Sequence, residues 1–294
     1  AARVNMPEVS ASIWHPHCAR IQPAKLAQGL RTVILDLGVE LYEDTVVTEL
    51  HPHQVKTNQG TVTANHVIRA TEGFTPNLSG LHREVLPMNS SIIVTEPLPE
   101  RVWENIGWNG TETLGDMAHV YFYAQRTSDN RIAMGGRGVP YRYGSKTDKN
   151  GSAQGATINT LMQLTHKHFP QTKRFGFDHV WSGVLGVPRD WSAAVNYVSS
   201  NGEGSAGGYV GTGVTSTNLA GRTLTDLILG RRTELTELPW VNHKVRNWEF
   251  EPLRWIATHG LYAAYGFADK AEQRSTSSKT SAVASMANFI TGRH

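Results

Sequence analysis

The sequence predicts an α/β part joined to an α+β part, and three observations carry that prediction. A proline-opened amphipathic stretch near residue 23 feeds a group of short strands. Residues 91 to 140 are dominated by β-rich runs. Residues 207 to 230, GGYVGTGVTSTNLAGRTLTDLILG, read as a strand, a glycine turn and an amphipathic helix.

Taken in order, IWHPHCARI reads as extended, and Pro23 then opens a helix. Leu26, Leu30, Val33, Ile34 and Leu37 share one face, and Gly38 stands where a helix C-terminus favours glycine. VELYE, VVTEL and QVKT follow as strands. The turn NQG reverses the chain into TVTA, and HVIRA closes the group. Residues 71 to 90, with Gly73, Pro76, Gly80 and Pro87, read as loop. SSIIVTEPL, HVYFYAQ and RIAMGG are strands of the second part, with a hairpin turn at SDN. Residues 144 to 155 are polar and glycine-rich, the composition of a surface loop. A helix spans 156 to 168 on Ile158, Leu161, Met162 and Thr165 and stops before Pro170. VWSGVLGV is a further strand, and a terminal helix is expected near 279 to 290.

The bulk numbers bound the function. A chain of 294 residues needs no disulfide or metal staple, since at this size roughly three quarters of the unfolded surface is buried. One cysteine, Cys18, excludes an intramolecular disulfide framework and fits a reducing, cytoplasmic setting. A net charge of +3 without a clustered basic stripe argues against nucleic acid as a partner. No apolar run of about 18 residues exists, so no membrane span is expected. The opening AARVNMPEVSASIW has no initiator Met and no introductory strand. It reads as the interior of a longer protein, and the expectation is a fragment.

The glycine segment is the strongest chemical signal. GGYV is expected as a buried strand, Gly211-Thr212-Gly213 as the turn, and a helix from about residue 216. Leu219, Ala220, Thr223, Leu224, Leu227 and Ile228 form its apolar stripe, and Thr215, Ser216 or Thr217 are candidate caps. A helix N-terminus leaves amides unpaired and carries roughly half a positive charge, and glycines let a flat ligand approach the backbone. The segment therefore reads either as a cofactor edge or as a tight turn whose glycines serve packing. A literal GxGxxG lies at Gly202, Gly204 and Gly207. It precedes an apolar run instead of following a strand and opening a helix, so it reads as a surface hairpin or loop.

These stretches together resemble a family. The GGYVGTGVTS segment looks like the C-terminal flavin motif of the D-amino-acid oxidase superfamily, which includes glycine oxidase and sarcosine oxidase. GVELYEDTVVTEL followed by VKTNQGTVTANHVIRATEGFTP resembles its central FAD-domain segment. PMNSSIIVTEPL and VYFYAQRTSDNRIAMGG resemble its substrate-domain strands. The similarity runs in order over most of residues 13 to 270. It implies an incomplete FAD-binding doubly wound domain (21–80 and 195–294) plus a mixed-sheet substrate domain (1–20 and 81–194). The family's phosphate-binding GxGxxG belongs to an N-terminal βαβ unit, and this sequence contains none. A second chain supplying that unit is the implied partner. The other reading is a non-catalytic remnant or subunit that keeps the fold for protein association.

The resemblance implies FAD as cofactor and oxidation of a C–N bond in a small amine or amino acid, by hydride transfer to flavin. It places Gly211, Thr212, Gly213, Val214 and Thr215 at the flavin, Val47 at the adenine, and Ala70, Thr71 and Gly73 in the nearby turn. Tyr121 matches an active-site tyrosine of glycine oxidase. Tyr123 has the same parity, and the alternative for both is cross-strand packing. Members of the family commonly hold a substrate carboxylate with an arginine in the strand matching WSGVLG. Here Val184-Leu185-Gly186 has none, and Arg189 lies five positions beyond Val184, so an amine, polyamine or N-substituted amino acid is favoured over a simple α-amino acid. His15-Pro16-His17 and His51-Pro52-His53 lack a third ligand in any recognisable pattern, so no metal is expected.

Overall fold

The computed structural model describes residues 3–136, 141–275 and 279–291. Helix α1 (Pro23–Asp36) starts on its proline, and the Gln22 side chain accepts the Lys25 N–H at 2.9 Å. No residue of α1 is buried, so its apolar stripe of Leu26, Leu30 and Val33 faces outward. The strand expected at VELYE does not form. The Val39 N–H is bonded to the Ile34 carbonyl at 3.0 Å, which ties this segment to the helix end. Strands β1 (Val47–His51), β2 (Gln54–Thr57) and β3 (Thr61–Thr63) then make a small antiparallel sheet in that order.

Strand β4 (Val67–Arg69) leads through a 3₁₀ stretch, Glu72–Asn77, into the larger sheet. That sheet is built from β5 (Leu86–Thr95), β6 (Thr113–Gly115), β7 (Tyr123–Arg126), β8 (Ile132–Gly136) and β9 (Phe177–Val187). It has the order β6-β7-β8-β5-β9 and every neighbouring pair is antiparallel. The alternation in HVYFYAQ predicts pairing along its length, yet only its end joins β7. The N–H groups of His119 and Val120 go to Asp269, at 2.8 and 3.2 Å, and that of Phe122 goes to Asp116 at 3.1 Å. Side-chain acceptors thus replace a strand partner.

One face of this sheet carries the main core, packed by α2 (Glu100–Ile106) and α3 (Gly155–His168). Ile93, Met134 and Phe122 meet Trp103, Trp108, Leu161 and Phe169 there. Trp108 stacks on Phe169 at 5.7 Å, and the Trp103 indole N–H donates to the Leu98 carbonyl at 3.2 Å.

The third sheet has the order β10-β11-β4, from β10 (Ala194–Val198), β11 (Glu203–Gly207) and β4. β11 pairs antiparallel with β10 and parallel with β4. This corrects one expectation and bears out the hairpin, though not the surface placement, of another. The strand lies at EGSAG, not at GGYV, and the literal GxGxxG is a hairpin turn running into the central strand of a sheet. Its first two glycines are packed: a Cβ on Gly202 would sit 2.0 Å from the Asn65 carbonyl oxygen, and one on Gly204 2.6 Å from Ile68. Strand neighbours this close exclude side chains, so a segment that reads as polar loop becomes sheet interior.

Helix α4 (Gly213–Ile228) begins three residues before the expected start and buries Ala220 and Leu224 against Val195 and Tyr209. Helix α5 (Leu253–Arg274) and helix α6 (Ala282–Thr291) pair through Tyr265, Ala268, Ala284 and Ala287. The expected division groups residues 195–294 with 21–80. The hairpin α5–α6 and its lead-in make their bonds with Arg83, His119, Val120 and Tyr141, residues of the larger sheet and its loops.

Candidate functional site

Between β11 and α4 the chain turns through left-handed backbone at three of four residues: Gly208 (φ 77°), Val210 (φ 53°) and Gly211 (φ 103°). For Val210, β-branched, that conformation is strained, and such strain of order 1–3 kcal/mol persists only where the surroundings enforce it. The turn delivers Gly213 to the first helical position of α4. Thr212 is the N-cap residue, and no side chain caps this end. The expected capping by Thr215, Ser216 or Thr217 does not occur. The hydroxyls of Thr215 and Ser216 donate back to the Thr212 carbonyl, both at 3.0 Å, so they cover no amide.

An open cleft of about 480 Å³ lies beside this turn. Gly211, Gly213 and Val214 form one side, with Thr217 and Gly221 on the next turn of α4. Ala70 and Glu72 enter from the end of β4, and Val184 and Leu185 from the free edge of β9. A Cβ on Gly213 would meet nothing nearer than Tyr209 at 3.6 Å, so the backbone there is bare without being crowded.

Of the residues singled out from sequence, Ala70, Gly211, Gly213 and Val214 come together in this cleft. Thr212 and Thr215 flank it on the helix start. Thr71 bonds Thr75 at 2.9 Å behind it. Gly73 is buried against β9, where a Cβ would lie 2.7 Å from both Cγ1 and O of Val184; its glycine serves packing. Val47 opens β1 in the separate small sheet, opposite Thr57, away from the cleft lining.

Tyr123 stands on the larger sheet opposite Gly135, which pairs with Ile92, which pairs with Trp181. Directly opposed residues share a face, as do alternate residues of one strand. Tyr123 therefore shares a face with Leu185, four residues along β9 from Trp181. Its ring covers Gly135, and its hydroxyl meets Ser90 Oγ at 3.1 Å. Tyr121 lies ahead of β7, so strand alternation does not extend to it. Arg189 is held by Glu249 at 3.2 Å and lies over the Trp248 ring.

Glu72 is the cleft residue that sequence reading passed over. Its carboxylate accepts the N–H of Tyr209 at 3.0 Å and of Gly208 at 3.4 Å. Burial pushes this carboxyl above the usual glutamate range, against the opposing pull of the Tyr209, Gly208 and Gly186 amides. The Tyr209 phenol is raised as well, by burial and then by the Glu72 charge. The signal available in the sequence was an acidic residue inside the ATEGF turn, next to the glycine already singled out.

A family model described as "FAD dependent oxidoreductase", DAO, matches residues 1–227. The chain belongs to this family. Among curated proteins, the probable oxidoreductase OrdL of Haemophilus influenzae is 26% identical over 227 residues, covering 74% of this chain and 49% of that protein. The gamma-glutamylputrescine oxidoreductase of Escherichia coli is 29% identical over 220 residues, covering 71% and 48%. The chain thus spans about half the length of the curated relatives it matches. Glycine oxidase from Geobacillus kaustophilus superposes with a TM-score of 0.62 at 18% identity, over 74% of this chain and 57% of that one. Iminodiacetate oxidase from Chelativorans sp. gives 0.59 at 17%, over 74% and 57%. These solved structures show the shared fold.

The family's cofactor can be tested against the residues present. The uncapped start of α4, the left-handed Gly211 and the uncrowded Gly213 fit an electron-rich ring edge laid against amides. Gly202 and Gly204 of the literal GxGxxG do not fit a pyrophosphate, because their space is filled by Asn65 and Ile68. Elsewhere, the one His-carboxylate cluster with metal-ligand spacing among the described residues is His119, Asp269 and Glu272. All three are engaged: Asp269 with the His119 and Val120 amides, Glu272 with the His119 ring at 3.1 Å. It works as a clasp on α5. Of the HxH pairs, His51 bonds Glu49 and His53 bonds the Asn65 carbonyl, while His15 and His17 are exposed.

Proposed function

We propose that this chain takes part in FAD-dependent oxidation of a C–N bond in an amine or N-substituted amino acid, as the part that faces the isoalloxazine and carries the substrate sheet. The observation that carries this reading is the uncapped α4 terminus opening at Gly211 and Gly213 into the cleft below β9. The names of two of the chain's relatives support the substrate class, since gamma-glutamylputrescine and iminodiacetate both carry an amine beside an oxidisable carbon. So does the engagement of Arg189 by Glu249, which leaves the WSGVLG strand without a carboxylate-binding arginine.

Bound FAD would supply the two-electron oxidation at the carbon next to nitrogen in this reading. The amides of Gly213 and Val214 and the positive end of α4 would stabilise negative charge on a ring edge laid against them, while the Thr215 N–H is bonded to the Thr212 carbonyl at 3.3 Å. Glu72 fixes the 208–209 backbone from which the Gly211 turn springs. The Tyr123 hydroxyl, oriented by Ser90, is the polar group that the sheet face offers to a substrate.

The pyrophosphate needs a helix start that these residues do not provide, and two features support its delivery by a βαβ unit, from a second chain or from further sequence. β4 is the edge of its sheet, and α1 leaves its apolar stripe unpartnered. The test is an absorption spectrum of the purified chain from 300 to 550 nm beside its intact mass, followed by an assay of amines. Flavin bands that disappear in Gly213→Val, with folding intact, support the reading. A folded chain that shows no flavin, alone or with co-purifying protein, leaves the association subunit as the function.

A further inference from the structure

We propose that Gly183 is a specificity-determining gap, over which an unbranched alkyl arm of the amine substrate runs along the larger sheet. The inference rests on the amine-oxidation reading above and names the arm that reading leaves open. Glycine inside a strand weakens it, and it marks a bulge, a close neighbour or the approach of a ligand. Four strand glycines of this sheet have a close neighbour. A Cβ would meet the Phe122 carbonyl oxygen at 3.4 Å from Gly115, the Tyr123 ring at 2.1 Å from Gly135, Leu161 at 3.1 Å from Gly136 and Glu72 at 2.0 Å from Gly186. On Gly183 it would meet nothing within 4 Å. Its φ is not positive, and the register of β9 against β5 runs through it without a shift. Packing, backbone conformation and a bulge therefore all fail to account for this glycine, and a ligand's approach remains.

The position of the gap suits a substrate that starts in the cleft. Gly183 is exposed and pairs with Ser90, whose Oγ meets the Tyr123 hydroxyl at 3.1 Å. Along β9 the same face carries Leu185 on one side and Trp181 on the other, each about 7 Å away at two residues of strand rise. Leu185 lines the cleft beside Gly211 and Gly213, so the gap continues the cleft along the sheet. Trp181, 43% exposed, stands at the far end. The opening is one missing side chain wide, with apolar walls before and after it. A methylene chain fits such a slot, and a branched carbon meets the walls. β9 is the edge of its sheet, so a longer arm leaves over the open side. Each methylene that is fully covered there strengthens binding by about fourfold.

The test is calorimetric titration of the protein, with whatever flavin or protein co-purifies, against methylamine, butylamine and isobutylamine. Wild type should bind butylamine at least about tenfold tighter than methylamine, and tighter than its branched isomer. Gly183→Ala should cut the butylamine-to-methylamine preference, and Gly183→Val should bring it below about threefold. Circular dichroism checks that both variants stay folded. Thermal unfolding, which needs no ligand, should give Gly183→Ala a Tm no lower than wild type, because its methyl meets nothing. A lowered Tm assigns Gly183 to packing and overturns the proposal. So does a wild type without the length preference, or a preference that survives Gly183→Val. Bleaching of the flavin bands by these amines scores the parent reading separately. Bleaching without a binding preference overturns the gap and leaves amine oxidation standing. A Gly183-dependent preference without bleaching supports the gap and counts against amine oxidation.

Discussion

The Glu72 carboxylate accepts the backbone N–H of Tyr209 at 3.0 Å, joining the turn after β4 to the turn before α4 across 137 residues of sequence. Two segments from opposite ends of an inserted sheet thereby form one wall of the cleft. Glu72→Ala leaves the Tyr209 amide without its acceptor, and the expected cost is about 1–3 kcal/mol. Chemical denaturation measures it, and a change within about 0.5 kcal/mol would show that the bond contributes little.

Glu72 also gives a pH dependence with a definite sign. Burial raises its folded pKa above the unfolded value, so the folded state favours the protonated carboxyl. The stability this contributes is fully present below the ordinary glutamate range and is lost as pH rises through the raised folded value. Glu72→Gln cannot ionise. The difference in Tm between wild type and Glu72→Gln should grow in favour of the glutamine variant as pH rises from about 4 toward neutrality, where the carboxyl has ionised in both states. A difference that is flat with pH, or of opposite slope, would falsify the assignment.

Gly73 and Gly213 make a contrasting pair. A methyl on Gly73 falls 2.7 Å from the backbone oxygen of Val184, which cannot yield easily, so Gly73→Ala should destabilise by about 1–3 kcal/mol. A methyl on Gly213 reaches only ordinary contact with Tyr209, so Gly213→Ala should leave thermal stability within about 0.5 kcal/mol of wild type. Its effect should instead appear in flavin retention during dialysis. Equal thermal losses in the two variants would remove the distinction between packing glycine and site glycine.

Arg254 is 1% exposed and bonds Glu251 at 3.2 Å, while the Tyr141 hydroxyl donates to the same carboxylate. Burial would raise the Glu251 carboxyl, but Tyr141, the Gly144 amide and Arg254 together hold it below the usual range. The Tyr141 phenol is pushed up to about 12, by burial first and by Glu251 next, and stays protonated as a donor. Arg254→Met removes the cation that the Glu251 carboxylate is paired with and should cost about 3–5 kcal/mol. The Glu251 contribution is present above the ordinary glutamate pKa and disappears as pH falls through the lowered folded value. Denaturation of wild type and Arg254→Met near neutrality and in acid, at about pH 7 and about pH 3, checks both: the gap should narrow in acid.

Periodicity made much of this fold legible. α3, β2, β8 and β9 follow from apolar spacing, proline and turn residues, since in each the local preference agrees with the tertiary setting, and α1 follows from its proline and spacing although its apolar stripe finds no core. The failures have physical causes. β11 is written in glycine and small polar residues because β4 and β10 press against it, and such a strand has no alternation to read. HVYFYAQ alternates like a strand, but Asp116 and Asp269 take its amides, and Asp269 is 150 residues away from His119. At the site, Gly211 and Gly213 were visible as a spacing. Glu72 was not, because its role depends on amides 136 and 137 residues downstream.

The parallel pairing of Val67 with Glu203 has a consequence for how the molecule is made. A ribosome releases β4 long before β11 exists, and everything between must emerge first. The antiparallel sheet of β5 to β9 lies wholly between them, its last pairing joining Leu86 to Val187, so all its strands are made before β11. The cleft cannot form so early: its walls at Ala70 and Gly211 come from the two sides of that insertion. Contacts of such long separation form late and slowly. A nascent chain halted before residue 203 therefore holds a finished sheet with an unpaired β4, and it is at this stage that chaperones have most to protect.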